Sequence, residues 1–92
     1  ETLLIRAHEQ VTRNTTGFGF SIDLDGFDPK YAPGTGTPVG NGIDANDFCR
    51  IVSRWADDPK LIGFEIAEFN SHLDIDQITE KTMANVIRAF QQ

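Results

Sequence analysis

The 92-residue sequence contains one cysteine, Cys49, so the chain can form neither an internal disulfide nor a thiolate metal cluster. A reducing, cytoplasmic setting is the expectation that follows. Basic residues are also scarce: eight Lys and Arg against fourteen Asp and Glu give a net charge of −6. Nucleic-acid binders present clustered cations, so that class of partner is excluded on charge. Long apolar runs are missing. No stretch approaches the roughly 20 residues of a membrane span, and no basic-then-apolar leader opens the chain, so no membrane partner is expected. Only two histidines are present, His8 and His72, and neither has a partner at metal-ligand spacing. Both read as surface or packing residues. The acidic field that is left suits a metal ion or a cationic small molecule.

What the chain does contain is an ordinary globular composition, 39% hydrophobic and 24% charged, at the size of one small domain at most. Leu3, Leu4, Ala7 and Val11 predict a helix over residues 1–14, ended by Asn14 and Gly17. Phe18–Leu24 reads as a strand apolar enough to be covered on both faces. Between Asp25 and Gly42, three prolines and five glycines predict a long irregular loop, of the length that usually serves a function. Asp44 then caps a helix with Phe48, Ile51, Val52 and Trp55 on one stripe, stopped by Asp57, Asp58 and Pro59. Cys49 and Trp55 read as core. Leu61–Phe69 is a second buried strand, and Asp74 or Asp76 caps a last helix carrying Ile78, Met83, Val86, Ile87 and Phe90. The order helix, strand, helix, strand, helix is α/β with parallel strands. A two-stranded parallel ribbon cannot cover its own faces or edges, so the chain is expected to be one piece of a larger sheet. Its start at Glu1 rather than methionine fits the same expectation of a cut polypeptide.

The chemistry concentrates in "FSIDLDGFDPKYAPGTGTP", residues 20–38. Side chains on a strand alternate, so Asp23 and Asp25 point to one side and Leu24 to the other, at the carboxyl end where open α/β sheets bind ligands. Two carboxylates about 5 Å apart repel by roughly 3 kcal/mol at an effective dielectric near 20, which a proton or a cation between them relieves. Aspartates also end strands merely as turn formers. The glycines of the loop, Gly34, Gly36, Gly40 and Gly42, would let backbone approach a ligand closely. A calcium EF-hand is excluded, because its sixth-position glycine and twelfth-position glutamate are absent. The "DLDG" of haloacid-dehalogenase-like phosphatases is matched only in part, since Phe27 stands where that class has threonine or valine.

"SIDLDGFDPKYAPGTGTPVGNG" resembles at length the carboxyl-terminal signature of the ureohydrolases, the arginase and agmatinase family. That pattern runs Ser or Thr, apolar, Asp, apolar, Asp, three residues, Pro, three residues, Pro, a small residue, seven residues, Gly. Ser21, Asp23, Asp25, Pro29, Pro33, Gly34 and Gly42 fill every slot. "IGFEIAEFN" is similar to the family strand that ends in a glutamate and then an asparagine, here Glu68 and Asn70, although Ser71 replaces the proline many members have next.

The resemblance implies that residues 1–92 are the C-terminal fragment of a single domain with the parallel-sheet, three-layer α/β/α arginase-like fold. It implies two manganese ions (Mn2+) with a bridging hydroxide, Asp23 and Asp25 as metal ligands, and hydrolysis of the C–N bond of a linear guanidine or amidine. Glu68 would hold the cationic, planar substrate group, and Thr37 could offer its hydroxyl to Glu68 or to the substrate. Glu65, a charge within the second strand, is expected to make a salt bridge or support the site. The family's remaining histidine and aspartate ligands are not in these residues, so the fragment alone is expected to be catalytically silent and to need the rest of its own domain. Family members form trimers and hexamers. "APGTGTP" looks closer to agmatinases, whereas "EFN" followed by Asp74, Asp76 and Thr79 is similar to some formimidoylglutamases. Two alternatives stand beside this reading: a phosphatase piece using Asp23 as nucleophile and Asp25 as general acid, and an arginase-fold scaffold that has lost activity.

Overall fold

The computed structural model describes residues 2–37 and 40–91. Glu1, in the predicted first helix, Pro38 and Val39, in the predicted loop, and Gln92 lie outside the described residues. The elements are α1 (Thr2–Thr12), β1 (Phe18–Asp23), α2 (Ala45–Val52), β2 (Leu61–Ala67) and α3 (Ile78–Phe90), with 3-10 turns at Leu24–Gly26, Ser53–Trp55 and Ser71–Leu73. The predicted order holds. β1 and β2 pair in parallel, with Phe20 opposite Phe64, Ile22 opposite Ile66 and Asp23 opposite Ala67.

One face of this ribbon makes the core. Ile22 and Leu24 pack with Phe27, with Ala45, Phe48 and Val52 of α2, and with Val86, Ala89 and Phe90 of α3. Burying side chains of this size contributes roughly 1.5–3 kcal/mol each. The Phe20 ring sits among Phe48, Trp55 and Phe90, at centroid distances of 6.4, 6.2 and 5.1 Å, and Phe64 stacks on Phe90 at 4.3 Å. Cys49 and Trp55 are half-buried against this cluster, as expected of core residues. Burial pushes the Cys49 thiol above its ordinary range.

Within the described residues the ribbon is covered on one face only. Gly19, Ser21 and Asp23 of β1 and Gly63 and Glu65 of β2 are exposed, so the second face carries small and polar groups. Apolar side chains fall on alternate positions, the pattern of a strand packed on one side. Ile62 is the extra residue where the register shifts between Phe18 and Gly19, and it stands 80% exposed. Glu65 accepts a 2.7 Å hydrogen bond from the Ser21 hydroxyl across the strands.

Side chains that satisfy loose backbone groups set the element ends. Asp44 caps α2 by accepting from the N–H groups of Asn46 and Asp47, and it also accepts from the Tyr31 hydroxyl at 2.8 Å. The Tyr31 hydroxyl is the main reason that the Asp44 carboxyl lies below its usual range. At α3 the residue before the helix is Gln77, with φ of 60° and no capping side chain, so neither Asp74 nor Asp76 occupies the cap position. Asp74 still serves the helix from further out, accepting from Thr79 N at 2.9 Å and Glu80 N at 3.3 Å.

α1 is held at the opposite end of the sheet from Asp23. The His8 ring stacks on Trp55 at 4.2 Å, meets Phe18 edge-on at 5.1 Å, and lies 3.1 Å from Asp58 Oδ2. His8 is thus the packing residue that the sequence suggested. Lys60 donates from Nζ to Thr12 O at 2.7 Å. Of the predicted stripe, Leu4 packs on the core while Leu3 and Val11 remain exposed.

Two predictions follow from these contacts. Gly42 joins the loop's ends: Ile43 N donates to Gly26 O, Asp28 N donates to Ile43 O, and a Cβ on Gly42 would lie 2.7 Å from Asp28 N and from the Phe27 carbonyl carbon. Gly42→Ala is expected to lose about 2 kcal/mol or more in urea unfolding, while Gly36→Ala, whose Cβ meets nothing within 4 Å, stays within about 0.5 kcal/mol. Asp58 is held below its usual range first by the Lys60 backbone N–H and then by His8. A depressed carboxylate stabilises the fold above its unfolded pKa near 3.9, and the contribution is lost as pH falls through the folded value. Asp58→Asn should therefore lower Tm at pH 7 and converge with the wild type at about pH 2; an equal deficit at both pH values would assign the effect to packing instead.

Candidate active site

β1 ends because Asp23 turns its own side chain back on the chain. Asp23 Oδ1 accepts from Asp25 N at 2.9 Å, which closes Leu24–Gly26 into a 3-10 turn. The predicted strand boundary at Leu24 therefore moves back one residue. Asp25 lies on the turn, so the two acids are related by this side-chain-to-backbone bond rather than by strand alternation. Leu24 still points inward with no exposure, Asp23 is exposed and Asp25 is half-buried.

The glycine-rich loop folds over Asp25. Thr37 Oγ1 donates to Asp25 Oδ2 at 2.8 Å, so its hydroxyl goes to Asp25 and not to Glu68. The other oxygen, Asp25 Oδ1, is buried without a hydrogen-bond partner among the described residues, and so is Thr35 Oγ1. The Asp25 carboxyl is held below its usual range by the Thr35 hydroxyl first and the Thr37 hydroxyl second, against the opposing effect of desolvation. An ionised oxygen shut away from water with no donor in line is a costly arrangement, and a cation would relieve it.

A second loop meets the first. Gly34 O accepts from Asn70 N at 2.7 Å, and Gly34 N donates to Thr79 Oγ1 at 2.8 Å. A Cβ on Gly34 would lie 3.0 Å from Asn70 O and from Thr79 Oγ1. Close approach of backbone is thus what Gly34 and Gly42 provide, but to the chain itself, which corrects the expectation that they open space for a ligand. Gly36 and Gly40 have open surroundings.

Glu68 follows Ala67, the partner of Asp23, and so leaves the sheet at the same end as the acid pair. β2 stops at Ala67 rather than Phe69 because Glu68 adopts φ of 71°, left-handed for a residue with a side chain. Such backbone costs of order 1 kcal/mol or more and gathers at functional sites. Asn70 Oδ1 accepts from His72 N at 3.0 Å, and Ser71, in place of proline, opens the 3-10 turn Ser71–Leu73. His72 is exposed on that turn.

The structure therefore brings Asp23, Asp25 and Thr37 together and sets Glu68 on the neighbouring strand end. Thr35 is the residue that sequence reasoning missed; it shares the alternation of Thr37 across Gly36, the one signal that could have drawn it in. Among the described residues no three His, Cys, Asp or Glu side chains form a group able to hold a metal. Asp23 and Asp25 supply hard oxygen donors for part of a coordination shell.

Comparison with known proteins gives this end of the sheet a lineage. The model of the Arginase family matches residues 1–91. The arginase of Brevibacillus brevis is 41% identical over 71 residues, 77% of this chain and 24% of that protein. The crystal structure of Entamoeba histolytica arginase in complex with L-ornithine superposes with a TM-score of 0.84 at 30% identity, over 97% of this chain and 30% of that one. Formimidoylglutamase from Bacillus subtilis gives a TM-score of 0.86 at 26% identity, over 97% of this chain and 28% of that one. The chain spans about a quarter of the length of the curated relatives it matches. With the signature, the parallel sheet and the position of its acid pair all accounted for, the chain belongs to the arginase family, the ureohydrolases.

Proposed function

We propose that this chain is the C-terminal portion of a single-domain ureohydrolase that cleaves a C–N bond of a linear guanidine or amidine with two Mn2+ ions. The buried, unpartnered Asp25 Oδ1 at the carboxyl end of β1 carries this reading, because a cation is the partner that such an oxygen calls for. Asp23, one turn away and exposed, is the second ligand. The paired metals, when bound, supply a nucleophilic hydroxide at neutral pH.

The remaining steps belong to side chains of this chain. Glu68 receives the cationic, planar head of the substrate, for which a carboxylate offers bidentate hydrogen bonds. It stands one residue past the partner of Asp23, with a left-handed backbone that ends the strand there. Thr37 spends its proton on Asp25 Oδ2 and keeps hydroxyl lone pairs for a substrate N–H. The binding of L-ornithine by the Entamoeba arginase supports a substrate with an amino-acid tail. The family match favours this reading over the phosphatase alternative.

Two acids do not complete a dinuclear shell, so the 92 residues alone are expected to bind manganese weakly and to release no urea, ammonia or formamide. In the longer protein carrying this segment, calorimetry should find two manganese ions per chain. Asp23→Asn should lower metal-dependent turnover roughly 100-fold or more by removing a ligand charge. Near-normal turnover with both ions retained would remove Asp23 from the shell, and a parent that binds no metal would leave the inactive-scaffold reading in the lead.

A further inference from the structure

We infer that Thr79 is a positioning residue for Glu68: its buried hydroxyl holds Gly34, and Gly34 in turn holds the chain just past Glu68 in a fixed place relative to the acid pair. The inference rests on the proposed roles of Glu68, Asp23 and Asp25, and it adds the group that sets one against the others.

Two buried threonines, Thr79 and Thr82, stand one turn apart on α3, at 0% and 6% exposure. Both hydroxyls bond the backbone of the glycine-rich loop: Thr82 Oγ1 donates to Tyr31 O, and Thr79 Oγ1 accepts from Gly34 N at 2.8 Å. In a helix interior such a hydroxyl commonly turns back to a carbonyl one turn earlier. Thr79 is the second residue of α3, with no turn of that helix behind it, so its oxygen is left for the loop. Its own N–H donates to Asp74 Oδ1 at 2.9 Å, which fixes its backbone. Asp74 and Thr79, drawn from the sequence only as a likeness to some formimidoylglutamases, thus share a physical task. Without the Thr79 hydroxyl the Gly34 N–H would be left buried and unpaired, a condition that folded chains avoid.

At Gly34 this restraint reaches the site. Its carbonyl accepts from Asn70 N at 2.7 Å, and Thr37, further along the same loop, donates to Asp25 Oδ2 at 2.8 Å. A Cβ on Gly34 would lie 3.0 Å from Asn70 O and from Thr79 Oγ1 and 3.1 Å from Asp74 Cβ, so three segments meet there without slack. Glu68 shortly precedes Asn70 and has φ of 71°. Backbone of that kind persists only where the surrounding structure enforces it. On one side of Glu68, Ala67 is paired with Asp23 in the sheet; on the other, the enforcing contact is Asn70 N to Gly34 O. Thr79 therefore acts on Glu68 through Gly34 and Asn70, whereas the Asp23–Asp25 turn closes on its own local bond. Loss of the hydroxyl should shift Glu68 and spare the acid pair. A shift of about 1 Å at a group that orients substrate can lower the rate about 100-fold.

Three variants of the longer protein separate this role from stability. Thr79→Val keeps the shape and loses the acceptor, Thr79→Ser keeps the acceptor, and Thr82→Val removes the neighbouring buried hydroxyl of α3 without touching Gly34. Thr79→Ala takes the place of the valine variant if that does not fold. With manganese present and L-arginine and agmatine as guanidine probes, Thr79→Val should raise KM about tenfold or more, with manganese affinity by calorimetry within about threefold of the wild type. Thr79→Ser and Thr82→Val should keep KM within about threefold. A stability role alone predicts a lower Tm with KM unchanged, or the same rise in KM for Thr82→Val, and either result overturns the inference. A crystal structure of the metal-free Thr79→Val protein needs neither metal nor substrate: Asn70 N should stand beyond about 3.5 Å from Gly34 O, with Glu68 displaced. If the wild type turns over neither probe while Glu68 still moves in the variant, the proposed reaction on guanidines fails and the positioning role stands. An unmoved Glu68 overturns the positioning role whatever the kinetics show.

Discussion

The site depends on one local hydrogen bond, from Asp25 N to Asp23 Oδ1 at 2.9 Å. Without it β1 would run on through the leucine, and Asp25 would stay in the strand. With it the chain tightens into a 3-10 turn, Leu24 is driven fully into the core, and Asp25 is delivered beneath the glycine-rich loop. One aspartate thus acts both as a candidate ligand and as the device that places the other. Neutralising Asp23 would weaken this turn as well as remove a proposed ligand, so the two roles are coupled.

The second constraint is the junction of two loops. Gly34 brings the loop after β1 to within hydrogen-bond distance of Asn70 and Thr79, and no residue with a Cβ fits there without movement. The junction ties the acid pair of one strand to the strand end that carries Glu68. Asp74 reinforces it from below by holding the start of α3, which presents Thr79. Side-chain chemistry at one strand end is therefore mechanically linked to its neighbour through backbone contacts that involve no charge.

Element order and most of the core were legible in the sequence because both rest on periodicity. Phe48, Val52, Val86 and Phe90 fall on helical stripes, and they are buried. The misread features share a cause: a local side-chain bond or a backbone angle that pattern does not encode. β1 ends a residue early because the Asp23 side chain accepts from Asp25 N two residues ahead, β2 ends two residues early because Glu68 is left-handed, and α3 is held from Asp74 at a distance. The strand Phe, Gly, Phe, Ser, Ile, Asp looks apolar in sum while it alternates in space, so these residues alone cover one of its faces. Thr35 was invisible for a different reason. Burial inside a loop has no period, so a threonine there looks like any other turn residue.

These observations also divide the labour of the ureohydrolase signature. Asp23 and Asp25 carry charge, whereas Gly34 and Gly42 carry nothing, and a Cβ on them would come within 3.0 and 2.7 Å of other backbone. Ser21 contributes away from the acids, bonding Glu65 across the exposed face of the sheet. Two of the fixed positions, Gly34 and Gly42, therefore let the loop close, and two others carry the acids. Such a signature tracks the means of holding two carboxylates at a strand end. An arginase and a formimidoylglutamase are both similar to this chain across that strand end.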